Sequence, residues 1–273
     1  MDLEKMLKIL EELGQKEIIE KFKSVSPQEQ KNFVEQINIL DKACRGGLKG
    51  YLKRAKALLE ESKNRVNAFH EYTIKIPDDI PHIDIGSEEF YELDQLGFDH
   101  LKDTVFTLVA GGLWERLGYT GIKIGFQNEL ITLRTDIDVY TDFMKAYEDR
   151  IRKKEKMPDD WFIPFCIMTS DDTHDQTISL LKEHNNFGMR PNQITIVKQD
   201  KIPAIADNEC HLALKEDKFL LETKPHGHGD IHYLLYKSGK AKQWVQEGKN
   251  IWFYLWILMF LLLIVFQHLL DLV

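Results

Sequence analysis

The sequence predicts an α/β fold preceded by a helical region, and three observations carry that prediction. Apolar residues recur at helical spacing through residues 1–72. From Thr104 onward, short apolar strands alternate with amphipathic helices. The glycine- and aspartate-rich segments then fall at the carboxyl ends of those strands. Together they imply a Rossmann-like sheet, parallel or mixed, with helices on both faces.

Along the chain, the first helices are marked by Leu3, Met6, Leu10 and Leu13, then Ile18, Ile19 and Phe22, then Phe33, Ile37 and Leu40, then Leu48, Tyr51, Leu52, Ala55, Leu58 and Leu59. Ser26-Pro27 reads as a helix start and Gly46-Gly47 as a break. Pro77, Pro81 and alternating Ile and Asp suggest an extended linker over residues 73–93. TVFTLVA is a buried strand, Ile137 to Lys154 a helix, FIPFCIMTS a second strand, and QITIVKQ a third. Between the last two, a helix starts near Asp172 or Thr173, either of which suits an N-cap, and ends before Gly188. A looser segment runs to FLLETK, and a helix is expected from Asp230 to Trp244. This gives a helical subdomain with linker over 1–93, an α/β domain over 94–250 and an apolar segment over 251–273.

Composition is that of a globular protein, 43% hydrophobic and 29% charged. A net charge of −8 argues against a nucleic-acid partner, which recruits basic surfaces, but not against a small nucleotide. Cys44, Cys166 and Cys210 show no CxxC spacing and suit a reducing compartment. The acidic amphipathic N-terminus does not resemble a secretory signal. The tail is different. Ile251 to Phe266 carries no charge, and with the residues to Leu270 it approaches the roughly 17–25 apolar residues of a membrane span.

The strand ends carry the candidate chemistry. Ala110-Gly111-Gly112 permits a tight turn and close ligand approach, with successive amides able to form an anion nest. Arg116 and Lys123 can neutralise phosphate. The stretch fits neither Walker A nor GxGxxG, and an ordinary strand-to-helix turn explains it equally well. His226, His228, Asp230 and His232 approach the HxHxDH zinc pattern, but Ile231 interrupts it. A flexible loop built on Gly227 and Gly229, with Asp230 capping the next helix, is the better reading. Ser170 to His174 could hold a proton or metal, or simply form a capping turn around Asp172. Gln199 could offer its amide to a base, or be structural, and His174 and Lys198 stay open in the same way.

Taken in order, LVAGGLxERLGYTGIK, FIPFCIMTSDDTH, FGMRPNQITIVKQDKIPA and TKPHGHGDIHYLLYKSG resemble the UDP-sugar pyrophosphorylases, relatives of UDP-glucose and UDP-N-acetylhexosamine pyrophosphorylases, over roughly Gly14 to Gly248. The resemblance implies a glycosyltransferase-A-like nucleotidyltransferase domain and the reaction of UTP with a monosaccharide 1-phosphate to give a UDP-sugar and diphosphate. It implies that Ala110, Gly111 and Gly112 lie against uridine and phosphates, and that Arg116 and Lys123 hold the triphosphate as catalytic residues. It further implies that Gln199 reads the uracil edge, that Gly227, His228 and Gly229 line the nucleotide with Asp230 ordering their loop, and that Mg²⁺ bridges phosphate oxygens. A cytoplasmic location follows from the same resemblance.

There are departures. Trp114 stands where the family has glycine, Phe126-Gln127-Asn128 and Leu133-Arg134-Thr135 replace a leucine–proline and threonine-rich stretch, and the tail lacks the family's metal aspartate before Asp271. They imply a truncated member with impaired activity, hence no protein metal ligand. An inactive pseudoenzyme, or a membrane-anchored nucleotide-binding or interaction protein with Ile251–Leu270 as anchor, is the alternative.

Overall fold

The computed structural model describes residues 3–67, 69–78, 80–112, 121–127 and 131–255. They form two compact units: residues 1–80 with 200–226, and residues 81–199 with 227–273.

The first unit begins with four helices, α1 (Leu3–Glu12), α2 (Lys16–Ser24), α3 (Pro27–Ala43) and α4 (Gly47–Lys63). Ser26 caps α3 in a capping box with Glu29, and Pro27 takes the first helical position, where a missing N–H costs nothing. The α3–α4 break needs glycine. Gly47 has φ +69°, and a Cβ there would stand 2.6 Å from Asp41 Oδ1. The segment read as loose, 200–226, folds with these helices. It contains the antiparallel pair β4 (Lys201–Pro203) and β5 (Thr223–Pro225), and it delivers Leu212, Phe219 and Leu221 to the core of Phe22, Phe33 and Leu48. The Phe33 and Phe219 rings lie 4.7 Å apart, tilted by 35°. Two glutamines tie the segment down. Buried Gln15 donates to the Cys210 carbonyl (3.0 Å) and accepts from the Leu212 amide (2.8 Å), while Gln36 donates to the Leu221 carbonyl and accepts from its amide.

The second unit is the expected α/β layer. Its parallel sheet has the order β3-β2-β1-β6, from β1 (Thr104–Val109), β2 (Phe165–Thr169), β3 (Ile194–Lys198) and β6 (Ile251–Leu255). Alternation along β1 divides the core. Phe106 and Leu108 face the helices α5 (Glu88–His100), α6 (Asp136–Glu155) and α7 (His174–Glu183), whose Phe98, Tyr140, Met144 and Leu181 complete that cluster. Val105 and Val109 face the other way, against Ile231, Leu234 and Leu235 of α8 (Asp230–Lys237) and Trp244 of α9 (Lys240–Gln246). A buried network locks α6 to the strand entrance: Glu148 accepts from the Ile163 amide (2.9 Å) and from Gln193.

Three expectations are corrected. The linker over 73–93 turns helical at Glu88, where Ser87 caps α5 by accepting from the Phe90 amide. The single helix from Asp230 to Trp244 is two, because Gly239 adopts φ +74° and breaks it. The membrane-helix reading of Ile251–Leu270 fails at its start: Ile251–Leu255 is a strand paired in parallel with β1, Thr104 opposite Ile251 through Leu108 opposite Leu255. A residue hydrogen-bonded into a sheet cannot also be the first turn of a spanning helix. Among the described residues no helix is long and apolar enough to cross a membrane; residues 256–273 lie outside them. Lys249 holds the entry to β6. It is buried, donates to the Lys102 carbonyl (2.5 Å) and lies 4.9 Å over the Trp161 ring, and its burial lowers its pKa.

Candidate functional site

At the carboxyl ends of the parallel strands the chain leaves the ladder at three adjacent points. The strand pairing runs slightly past the strands themselves: the Ala110 amide donates to the Met168 carbonyl and the Gln199 amide to the Thr169 carbonyl, both at 2.8 Å. This fixes the backbones of Ala110 and Gln199 on either side of the β2 end. Beyond Ala110 the chain passes through Gly111 and Gly112, so the side chain of Gln199 meets bare backbone. A Cβ on Gly111 would lie 2.5 Å from Gln199 Nε2 and 3.7 Å from Ser170 Cβ. A Cβ on Gly112 would lie 3.2 Å from Lys123 Cε and 3.3 Å from its Nζ. The two glycines thus make room for a carboxamide and an ammonium.

Gln199 is 4% exposed, and its Oε1 has no hydrogen-bond partner among the described residues. Burying an amide oxygen unpaired costs about 1–3 kcal/mol, so such an atom is a candidate ligand contact. Nearby, Lys198 and Asp171 form an ion pair at 2.7 Å, with both side chains about half exposed. His174 Nδ1 sits 2.8 Å from Thr169 Oγ1, which fixes its ring on the end of β2.

The TSDDT turn is built differently from a simple cap. The N-cap position of α7 is Thr173 rather than Asp172, and the Thr173 side chain makes no capping hydrogen bond. Its hydroxyl, 0% exposed, instead donates to the Ala110 carbonyl (2.9 Å) and accepts from the Ser170 amide (3.0 Å). Asp230 likewise occupies the first helical position of α8, and Gly229 is the N-cap without a side-chain bond. A carboxylate there still meets the positive end of the helix. Gly227, with φ +101°, shapes the preceding turn, and its carbonyl accepts from the Asp230 amide (3.1 Å). Ile231 anchors that first turn in the buried cluster of Val109 and Val197. His232, from the zinc-like pattern, pairs with the Tyr254 hydroxyl through Nδ1 at 3.0 Å.

Sequence reading missed two buried carboxylates, Glu148 in the network described above and Asp136. Asp136 opens α6 behind the Thr135 cap, is 1% exposed, and has both oxygens unpartnered among the described residues. Burial pushes its pKa up to about 7. Its only sequence signal was an acidic residue at a helix start, which ordinarily points to solvent. Trp114, Glu115 and Arg116 lie outside the described residues, so the structure brings together Gly111, Gly112, Lys123 and Gln199 from the predicted set.

Comparison with known proteins agrees with this architecture. The family model of UTP–glucose-1-phosphate uridylyltransferase matches residues 49–257. A UDP-sugar pyrophosphorylase of Arabidopsis thaliana is 37% identical over 258 residues, 93% of this chain and 41% of the relative. A UDP-N-acetylglucosamine pyrophosphorylase of Saccharomyces cerevisiae is 23% identical, over 89% of this chain and 50% of the relative. The chain therefore spans about two-fifths to one-half of the length of these relatives. Among solved structures, the uridine diphosphate N-acetylglucosamine pyrophosphorylase from Trypanosoma brucei, in complex with an inhibitor, superposes with a TM-score of 0.63 at 18% identity, over 85% of this chain and 44% of that one. A mutant UDP-glucose pyrophosphorylase from Leishmania major, in complex with UDP-glucose, gives 0.52 at 19% identity, over 85% and 44%. At these identities the structures speak for the fold. The extent of the family match settles the relationship: this chain belongs to the UTP–glucose-1-phosphate uridylyltransferase family.

Proposed function

We propose that this chain supplies the nucleotide-binding part of a uridylyltransferase that joins UTP and a monosaccharide 1-phosphate into a UDP-sugar and diphosphate. The single observation that carries the reading is the buried Gln199 carboxamide beside Gly111, its Oε1 unpartnered among the described residues, at the carboxyl end of a parallel sheet. Uracil offers an imide N–H flanked by carbonyls, and a carboxamide meets that edge with one acceptor and one donor. Ligands of open α/β sheets sit at this edge.

In the proposed reaction a phosphate oxygen of the sugar 1-phosphate attacks the α-phosphorus of UTP. The bond from that phosphorus to the β-phosphate oxygen breaks, and diphosphate leaves. The protein positions the reactants and neutralises charge, with no covalent intermediate. Lys123, whose ammonium lies beside Gly112, is proposed to stand against the phosphates as a point charge, and Arg116 is proposed for the same task. Gly227, His228 and Gly229 are proposed as the second nucleotide-facing loop, ordered by Asp230.

Mg²⁺ enters as part of the substrate, Mg-UTP, because a hard cation is well served by phosphate oxygens. Among the described residues no group of three or more His, Cys, Asp or Glu stands where it could hold a metal ion. No step is assigned to a cation held by the protein alone. The three buried free thiols suit a reducing compartment, and we place the chain in the cytoplasm.

Isothermal titration of the full chain with Mg-UTP, and with Mg-CTP as control, tests the reading. Saturable UTP binding with weaker CTP binding supports it. No UTP binding at about millimolar ligand, a free energy of only about −4 kcal/mol, overturns it.

A further inference from the structure

We infer that Thr173 is a positioning residue for the uridine site: its hydroxyl aims the Gly111 amide at the ligand and so contributes to the preference for uracil. The inference rests on the UTP-binding reading of the Gly111–Gln199 site.

The geometry starts from one peptide plane. The Ala110 carbonyl and the Gly111 N–H belong to the same planar trans peptide and point in opposite directions. Thr173 Oγ1 donates to that carbonyl at 2.9 Å from a fully buried position. With the carbonyl held inward, the Gly111 amide is turned outward, and it makes no backbone hydrogen bond among the described residues. The same oxygen accepts from the Ser170 amide at 3.0 Å, and Ser170 Oγ lies 3.3 Å away. One hydroxyl therefore couples the end of β1 to the end of β2. Gln199 is fixed to that same β2 end through the bond from its amide to Thr169. Thr173 thus adds a side-chain tether to the backbone bonds that hold the Gly111 peptide and Gln199 at the same β2 end.

An N-cap threonine chosen only for helix stability would spend its oxygen on the first turn of α7. This one makes no such bond. Its partners are the Ala110 carbonyl, on the peptide that carries the Gly111 amide, and the Ser170 amide, which follows the β2 residue that accepts from Gln199. A glycine at 111 is free to rotate, which is why its peptide needs an external tether.

The test compares wild type, Thr173→Val, which removes the hydroxyl at constant shape, and Thr173→Ser, which keeps it. Mg-UTP and Mg-CTP are titrated into each full chain, and the Gly111 amide is followed by ¹⁵N NMR in the wild type. We expect Thr173→Val to weaken UTP binding at least five-fold and to narrow the UTP-to-CTP ratio. Thr173→Ser should stay within about two-fold of wild type on both, and saturating UTP should shift the Gly111 amide. A folded valine variant with unchanged UTP affinity and ratio overturns the inference while leaving the UTP reading intact. If the valine variant does not fold, a Gly111 amide unmoved by saturating UTP overturns it, and a clear shift together with serine retention supports it. A wild-type chain that binds no UTP removes the underlying reading and the inference with it.

Discussion

Gln199 Nε2 occupies the space that a side chain on residue 111 would need, 2.5 Å from where a Cβ on Gly111 would stand. Two residues 88 positions apart are thereby matched, one by having no side chain and the other by placing a carboxamide over the gap. Gly111→Ala should displace the flexible end of Gln199 without disturbing the sheet. The expected outcome is at least a ten-fold loss of UTP affinity, with less than about 1 kcal/mol lost in stability, as is usual where only a flexible side chain must move. Titration and urea unfolding on the same variant check both halves, and an unchanged affinity would separate Gly111 from the site.

Gln199→Leu makes a sharper test, because stability and binding should move in opposite directions. The wild-type side chain buries an amide oxygen that has no partner among the described residues. Leucine of similar size removes that penalty, so the melting temperature should hold or rise. UTP binding should fall at least ten-fold, and discrimination against CTP should vanish. A variant that loses stability would mean that Gln199 is chiefly structural.

Asp136 predicts a pH dependence. Its carboxyl has an ordinary value of 3.8, raised by burial to about 7 in the folded chain. Between these values the folded state holds a proton that the unfolded state has released. Stability from this group is therefore full below about pH 4 and is lost as pH rises to about 7, by up to about 4 kcal/mol. Asp136→Asn cannot ionise. It should be more stable than wild type at pH 8, with the advantage shrinking towards pH 5, as followed by denaturant unfolding across that range. Parallel profiles for the two proteins would contradict the assignment.

Gln15 makes a prediction for the helical unit. It is 2% exposed and bonds the Leu13 and Cys210 carbonyls and the Leu212 amide. Gln15→Leu strands three buried backbone groups and should cost about 2–4 kcal/mol in that unit. Hydrogen exchange of the Leu212 amide should accelerate accordingly. Exchange at the wild-type rate would show that the segment over 200–226 is held by its apolar contacts alone.

Much of this was readable from residue order. The apolar runs TVFTLV and FCIMT are central strands buried on both faces, ITIVK is a partly exposed edge strand beside them, and Ser26-Pro27 with Glu29 marks a helix start by local hydrogen bonding alone. Thr173 was legible only as a helix cap, since its actual partner, Ala110, lies 63 residues away. The apolar tail was ambiguous because length and hydropathy describe a membrane span and a buried strand alike. Pairing with β1 resolves Ile251–Leu255.

By itself the sequence determined the family, the central alternation of β1, β2 and β3 with helices, and the glycine-rich strand ends that are proposed to meet a nucleotide. These are local or cumulative properties, carried by periodicity, glycine placement and long ordered motifs. Only the tertiary structure decided that residues 200–226 belong with the first helices, that Gln199 faces Gly111, that Thr173 holds the Ala110 carbonyl, and that Asp136 is buried without a partner among the described residues. Each depends on which distant backbone lies alongside, and that is fixed by sheet register and core packing.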